Sequence, residues 1–111
     1  LLVDDDPDAR KVATTYLKHM GIEVSFYGEA RSALAAMGQR VPDLVCLDLL
    51  LPDESGFAIG EQMRKTPALA KVPILMMSAR GSIADRAHAE EVGITQFIQK
   101  PFRRAEFERV I

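Results

Sequence analysis

The 111-residue sequence holds a single cysteine, Cys46, so no internal disulfide can form and packing must hold the fold together. One lone thiol fits a reducing compartment, and a cytoplasmic location is the expectation. No run of about 18 apolar residues occurs, which excludes an α-helical membrane span. A secretory leader is not expected either, because Leu1-Leu2-Val3 runs straight into Asp4-Asp5-Asp6. Excess positive charge is missing: the formal net charge is −2, which argues against nucleic-acid binding by this domain itself. There is no G-x-x-x-x-G-K-[ST] loop to cradle a nucleotide. Low-complexity segments, linkers and short repeats are lacking, so residues 1–111 read as one domain. Both ends read as trimmed, since Leu1 already looks like strand interior and Val110-Ile111 lies inside an amphipathic pattern.

What the chain does have is 48% hydrophobic and 27% charged residues, the balance of a globular domain with one core. Short apolar runs alternate with helical patterns. Strands are expected at Leu1–Val3, Glu23–Phe26, Leu44–Leu47, Ile74–Met77 and Gln96–Ile98. The first, third and fourth are apolar at every position, the pattern of strands covered on both faces. A helix from Pro7 to Met20 presents Val12, Ala13, Tyr16, Leu17 and Met20, with Asp6 as cap and Gly21 as its end. A second, from about Glu29 to Met37, carries Ala30, Ala33, Leu34 and Met37, and Gly38 is expected to close it. A third follows Ser55-Gly56 and ends before Pro67, weakened by Gly60. The fourth runs from Ser82, with Asp85 completing an approximate capping box, to Gly93, over a thin stripe of Ala84, Ala87 and Val92. The last begins near Arg103.

Five βα units in a row predict an α/β fold: a right-handed, five-stranded parallel sheet between two helix layers, a (βα)5 three-layer sandwich. The strand order 2-1-3-4-5, the flavodoxin-like one, is borrowed from doubly wound sheets of this kind. Such sheets bind ligands beyond the carboxyl ends of their strands. Asp4, Asp5 and Asp6 follow the first strand, Asp48 the third, Ser78 the fourth, and Lys100-Pro101 the fifth.

Asp48 sits among Leu47, Leu49, Leu50 and Leu51, where an unpaired carboxylate is costly. Asp4 and Asp5 belong on the neighbouring strand, and clustered carboxylates repel unless a cation intervenes. A hard divalent ion answers that need: Mg²⁺, with Mn²⁺ as the alternative, takes one or two carboxylates, waters and a phosphate oxygen. The set outlines a phosphoryl-transfer site. Asp48 is the candidate nucleophile. Asp5 would hold the metal directly, Asp4 directly or through a water, and the backbone carbonyl near Leu50 would complete the shell. Ser78 and Lys100 would grip the phosphoryl oxygens.

The sequence resembles the receiver domain of response regulators, the phosphoacceptor module of two-component signalling, over essentially its whole length. The matching residues are Leu2 to Pro7, Pro42 to Leu44, Asp48 to Pro52, Ser55-Gly56, Pro73-Ile74, Met77 to Ala79 and Lys100 to Phe102. Each stretch alone is unspecific; their order, each beside an expected strand end, is specific. The resemblance implies a signalling switch rather than an enzyme with a separate substrate. In it Asp48 is the phosphoacceptor, Asp4 and Asp5 are the acidic pair, Ser78 is the switch hydroxyl and Lys100 the site lysine. It further implies a histidine kinase or histidine phosphotransfer protein as donor. Phe97, three residues before the lysine, would be the aromatic that turns inward as Ser78 swings. The face of the fourth helix, last strand and last helix would then meet an output domain, an effector or a second copy of the chain. Phe97 has no phenol and Ser78 stands where threonine is commoner. Leu50 and Arg80 occupy positions that influence how long the phosphoryl group lasts, and bulky Leu50 leans toward a longer life. The Lys100-Pro101 bond resembles one that is cis in the family.

Other chemistries fit less well. Aspartyl phosphatases place a second acid two residues after the nucleophile, where this chain has Leu50. A flavin phosphate would be repelled by three aspartates after the first strand. His19 and His88 fall on helices away from the strand ends, and Cys46 and Met76-Met77 read as strand core.

Overall fold

Residues that are apolar at every position form the middle of the sheet, because helices cover both of its faces. The computed structural model describes all residues except Arg80, Gly81, Thr95, Pro101 and Ile111. In chain order the elements are β1 (Leu2–Val3), α1 (Pro7–His19), β2 (Phe26–Tyr27), α2 (Ala30–Gln39), β3 (Val45–Asp48), α3 (Gly56–Lys65), β4 (Ile74–Ser78), α4 (Ile83–Val92), β5 (Gln96–Gln99) and α5 (Arg104–Val110). The strands form one parallel sheet in the order β2-β1-β3-β4-β5, the flavodoxin-like α/β arrangement.

Period-two alternation divides the buried strand side chains between two cores. Val3, Val45, Leu47, Ile74 and Met76 face α2, α3 and α4, meeting Ala33, Met37, Ile59, Met63 and Ala89. Leu2, Cys46, Leu75, Met77 and Ile98 face α1 and α5, meeting Ala13, Leu17 and Phe107. Burying one such side chain contributes about 1.5–3 kcal/mol, so these two layers dominate stability. Among the described residues no helix is long and apolar enough to cross a membrane.

Helix starts follow the expected chemistry. Asp6, Ser55 and Ser82 each cap their helix through a side-chain oxygen. Gly21 and Gly93 take left-handed φ angles of 76° and 88° at the ends of α1 and α4.

Four sequence expectations need correction. The second strand is Phe26–Tyr27 rather than Glu23–Phe26, because β1 offers only Leu2 and Val3 as partners before the chain turns at Asp4. Gly38 does not close α2: the helix continues to Gln39, and the Arg40 N–H reaches the Ala36 carbonyl at 3.0 Å. In α4 the inward side chains are Ala89 and, in part, Val92, while Ala84 and Ala87 are exposed, so of the expected stripe only Val92 packs inward. Val12 is also largely solvent-facing, since Ala13 and Leu17 carry the contact of α1. The Lys100-Pro101 bond and Arg80 involve residues outside those described.

Candidate phosphoacceptor site

The parallel register decides which side chains meet at the carboxyl edge. Leu2 pairs with Cys46 and Val3 with Leu47, so Asp4 emerges beside Asp48. Asp48 in turn pairs with Met77, and Ser78 with Gln99, which brings the ends of β4 and β5 alongside. The Lys100 N–H donates to the Ser78 carbonyl at 2.7 Å, extending the β4–β5 ladder just far enough to aim the lysine inward.

Asp4 is fully buried, Asp48 and Ser78 are buried, and Asp5 is exposed at the mouth. One carboxylate oxygen from each of Asp4, Asp5 and Asp48 lies within 4.8 Å of the others. The Lys100 ammonium donates to Asp4 Oδ2 at 2.8 Å and stands 3.5 Å from Asp48 Oδ1. The other Asp4 oxygen accepts from the Asp6 N–H at 3.0 Å, so Asp4 is held from two sides.

Burial, followed by the charge of Asp4, pushes the Asp48 carboxyl up to about 6, against the opposing pull of Lys100 and a hydrogen bond from the Leu50 N–H. Burial alone would lower the Lys100 ammonium, but its hydrogen bond to Asp4 and the two carboxylate charges outweigh that and raise it. Three oxygen donors of like charge, two of them buried with one lysine between them, make a donor set suited to a small hard cation. Their spacing is one that such an ion bridges directly or through a water.

The loop after Asp48 is built for close approach. The Gly56 N–H donates to the Leu49 carbonyl at 2.7 Å, and Leu50 and Ser55 form an isolated antiparallel bridge. A Cβ on Gly56 would run into the Asp48 carbonyl oxygen and lie 2.9 Å from Met76 Cε. Leu50 projects to solvent with 58% exposure.

Phe97 lies partly buried at the far side of β5, with the Arg86 guanidinium 4.7 Å from its ring centroid. His19 is exposed on α1, and the His88 ring lies 4.3 Å from that of Phe57, tilted by 46°, beside Glu61; neither belongs to the Asp4, Asp5 and Asp48 cluster. Cys46 is buried with its thiol pushed up to about 12 by desolvation, an inert core residue.

Two polar residues that brace the fold, Asp53 beside the site and Arg64 away from it, were not legible in the sequence. Asp53 accepts from the Ala30 and Arg31 N–H groups at 2.8 and 3.0 Å, capping α2 from 23 residues away. Arg64 donates to the carbonyls of Gly93, Leu69, Ala70 and Val72 at 2.8 to 3.3 Å. Neither contact has a local motif: the Asp53 partners lie 22 and 23 residues away, and Arg64 joins a carbonyl 29 residues away to three in the turn that follows its own helix.

Buried Asp4 and Asp48 at neighbouring strand ends, exposed Asp5 beside them and a bridging lysine on a doubly wound sheet mark a candidate phosphoacceptor domain. The response regulator receiver domain model matches residues 1–111, and the chain belongs to that family. It is 35% identical over 108 residues to a probable transcriptional regulator, ycf27, of Guillardia theta; the match covers 97% of this chain and 41% of that protein, so the chain spans less than half its length. A putative response regulator from Chloroflexus aurantiacus superposes with a TM-score of 0.93 at 31% identity, over 98% of this chain and 90% of that one. The receiver domain of a sensor histidine kinase from Pseudomonas aeruginosa PAO1, solved with a magnesium ion coordinated in its active-site cleft, gives a TM-score of 0.89 at 27% identity, covering 98% and 89%.

Proposed function

We propose that this domain is a phosphorylation-controlled switch in which Asp48 accepts a phosphoryl group from a phosphohistidine on a histidine kinase or phosphotransfer protein. The observation that carries the reading is the meeting of Asp4, Asp5, Asp48 and Lys100 at one sheet edge. An Asp48 oxygen would attack phosphorus as the P–N bond to the donor imidazole breaks. The electron pair stays on that nitrogen, which is then free to take a proton, and an acyl phosphate remains on Asp48.

Asp5, Asp48, the Leu50 carbonyl and Asp4, the last directly or through a water, would hold Mg²⁺. Bound there, the ion supplies positive charge against the phosphoryl oxygens. Lys100 supplies the second cation and Ser78 a hydroxyl donor on the β4 side. Asp4 keeps Lys100 oriented. Exposed Leu50 would hinder a hydrolytic water, favouring a longer-lived phosphorylated form. The output would be read at α4, β5 and α5; between α4 and β5, Ile83, Arg86 and Phe97 line a groove of about 480 Å³. An output domain, an effector or a second copy of the chain would dock there. Residues 1–111 would thus form the receiver module of a larger, cytoplasmic regulator.

The test is incubation with acetyl phosphate and Mg²⁺, followed by intact-mass measurement. The wild type is expected to gain one phosphoryl group and Asp48→Asn none. An unchanged wild-type mass would reduce the domain to a docking module.

A further inference from the structure

We propose that Asp53 is a positioning residue for the acidic site: by clamping the β3–α3 loop to the start of α2, it holds the Leu50 backbone against Asp48. The inference rests on the metal-assisted phosphoacceptor reading above and names a residue that reading does not use.

The loop from Leu49 to Gly56 carries its functional backbone at one end and exposed residues at its tip. Its base is closed by the Gly56–Leu49 hydrogen bond and the Leu50–Ser55 bridge. At the base, Leu50 lies two residues beyond Asp48, and its bridge to Ser55 ties it to the same closed loop. At the tip, Pro52, Asp53 and Glu54 are all exposed. The tip is fixed by two hydrogen bonds that Asp53 accepts, one oxygen taking the N–H of Ala30 and the other that of Arg31 at the start of α2.

Those amides need an outside acceptor. Glu29 occupies the N-cap position but makes no side-chain cap, leaving the role that Ser, Asp or Asn normally fills to a residue from another loop. The two N–H groups hold the Asp53 carboxyl below the usual carboxylate range, so it is ionised and a strong acceptor. The clamp therefore serves both partners: it caps the helix and restrains the loop three residues beyond Leu50. Groups that orient a metal's ligands without touching the metal commonly change its affinity by about 10-fold or more when removed.

Calorimetric Mg²⁺ titration separates these roles. The wild type is compared with Asp53→Ala, with Asp53→Asn, and with Asp53→Ala combined with Glu29→Ser, which restores a local cap to α2 without restoring the tether. Asp53→Ala is expected to weaken Mg²⁺ about tenfold. Asp53→Asn, which keeps one acceptor oxygen, should fall between it and the wild type. The double variant should recover thermal stability without recovering Mg²⁺ affinity. Affinity that returns with the local cap, or that never changes, overturns the positioning role while leaving the phosphoacceptor reading intact. A wild type that binds no Mg²⁺ overturns both.

Discussion

Lys100 and Asp4, separated by 96 positions in sequence, form a 2.8 Å ion pair whose aspartate is wholly buried. The same ammonium stands 3.5 Å from Asp48, so in the metal-free protein one lysine screens two carboxylates from each other. Removing it leaves two poorly solvated acids facing one another, at a cost of about 1–3 kcal/mol. Lys100→Ala is therefore expected to lower the Tm of the metal-free protein. It should also enlarge the rise in Tm on adding Mg²⁺, because the competing cation is gone. Phosphorylation by acetyl phosphate should be crippled. Thermal scans with and without Mg²⁺ check the point; a variant that loses Mg²⁺ binding would make Lys100 a support of the metal site rather than its rival.

Proton uptake at Asp48 gives the site a pH signature. Its carboxyl titrates near 6 in the fold, against 3.8 when free. Between those values the folded chain keeps a proton that the unfolded chain has released. The contribution of Asp48 to stability therefore falls as pH rises from about 4 to about 6 and then levels. Asp53 is shifted the other way and loses its contribution only as pH falls below the ordinary carboxylate value, outside that window. Urea midpoints of metal-free wild type and Asp48→Asn at pH 4.5 and 6.5 isolate the effect. The wild type should weaken relative to the variant at the higher pH, and Mg²⁺ should shrink the difference. Parallel curves would mean an ordinary Asp48.

Gly56 sets how closely α3 approaches the site strand. An added methyl meets the Asp48 carbonyl and the Leu49 Cα, which are backbone and cannot step aside cheaply. Gly56→Ala should cost about 1–3 kcal/mol as overpacking. It should also shift the Asp48 backbone, so phosphorylation should slow in the fraction that remains folded. Stability and phosphorylation rate measured together test this; a variant that is destabilised yet phosphorylated at the wild-type rate would show that the strain is relieved on the α3 side.

The parallel sheet was legible because Val45 to Leu47 and Ile74 to Met77 are apolar without interruption, and such runs belong between helix layers. Asp48 was legible for the opposite reason, as an acid in a run where desolvation penalises it. β2 was misplaced because its extent is set by β1, and a two-residue partner leaves no trace in the sequence of Glu23 to Tyr27. The buried face of α4 was misread because alanines occur all around that helix, and the packing of α3 chooses among them. Gly60 looked like a helix weakness; in the fold, a Cβ there would lie 3.0 Å from Val92 Cγ1 and 3.2 Å from Ile94 Cδ1, so the glycine admits the α4 side. Asp53 stayed hidden because its capping partners lie in another helix.

Arg64 was equally hidden, and it makes the clearest stability prediction outside the site. Its Nε donates to Gly93 at the end of α4, while one terminal nitrogen serves Leu69, Ala70 and Val72 in the turn leading to β4. Burial lowers its guanidinium, yet it remains a cation that joins the carbonyl at the end of α4 to three in the turn before β4. A single ammonium lacks the planar fork needed to face both groups at once. Arg64→Lys should therefore recover only part of what Arg64→Ala loses, and the alanine variant should be destabilised by about 2 kcal/mol or more, since hydrogen bonds to charged groups contribute about 1.5–3 kcal/mol each. For a domain of this size that is a fall in Tm of roughly 8 °C or more. Because Arg64 lies away from the carboxylates, Mg²⁺ affinity at low temperature should stay at the wild-type value in both variants. Thermal unfolding paired with calorimetric Mg²⁺ titration decides the matter: unchanged Tm would show water replacing the guanidinium, and lost Mg²⁺ affinity would show that the α3–α4 brace reaches the site.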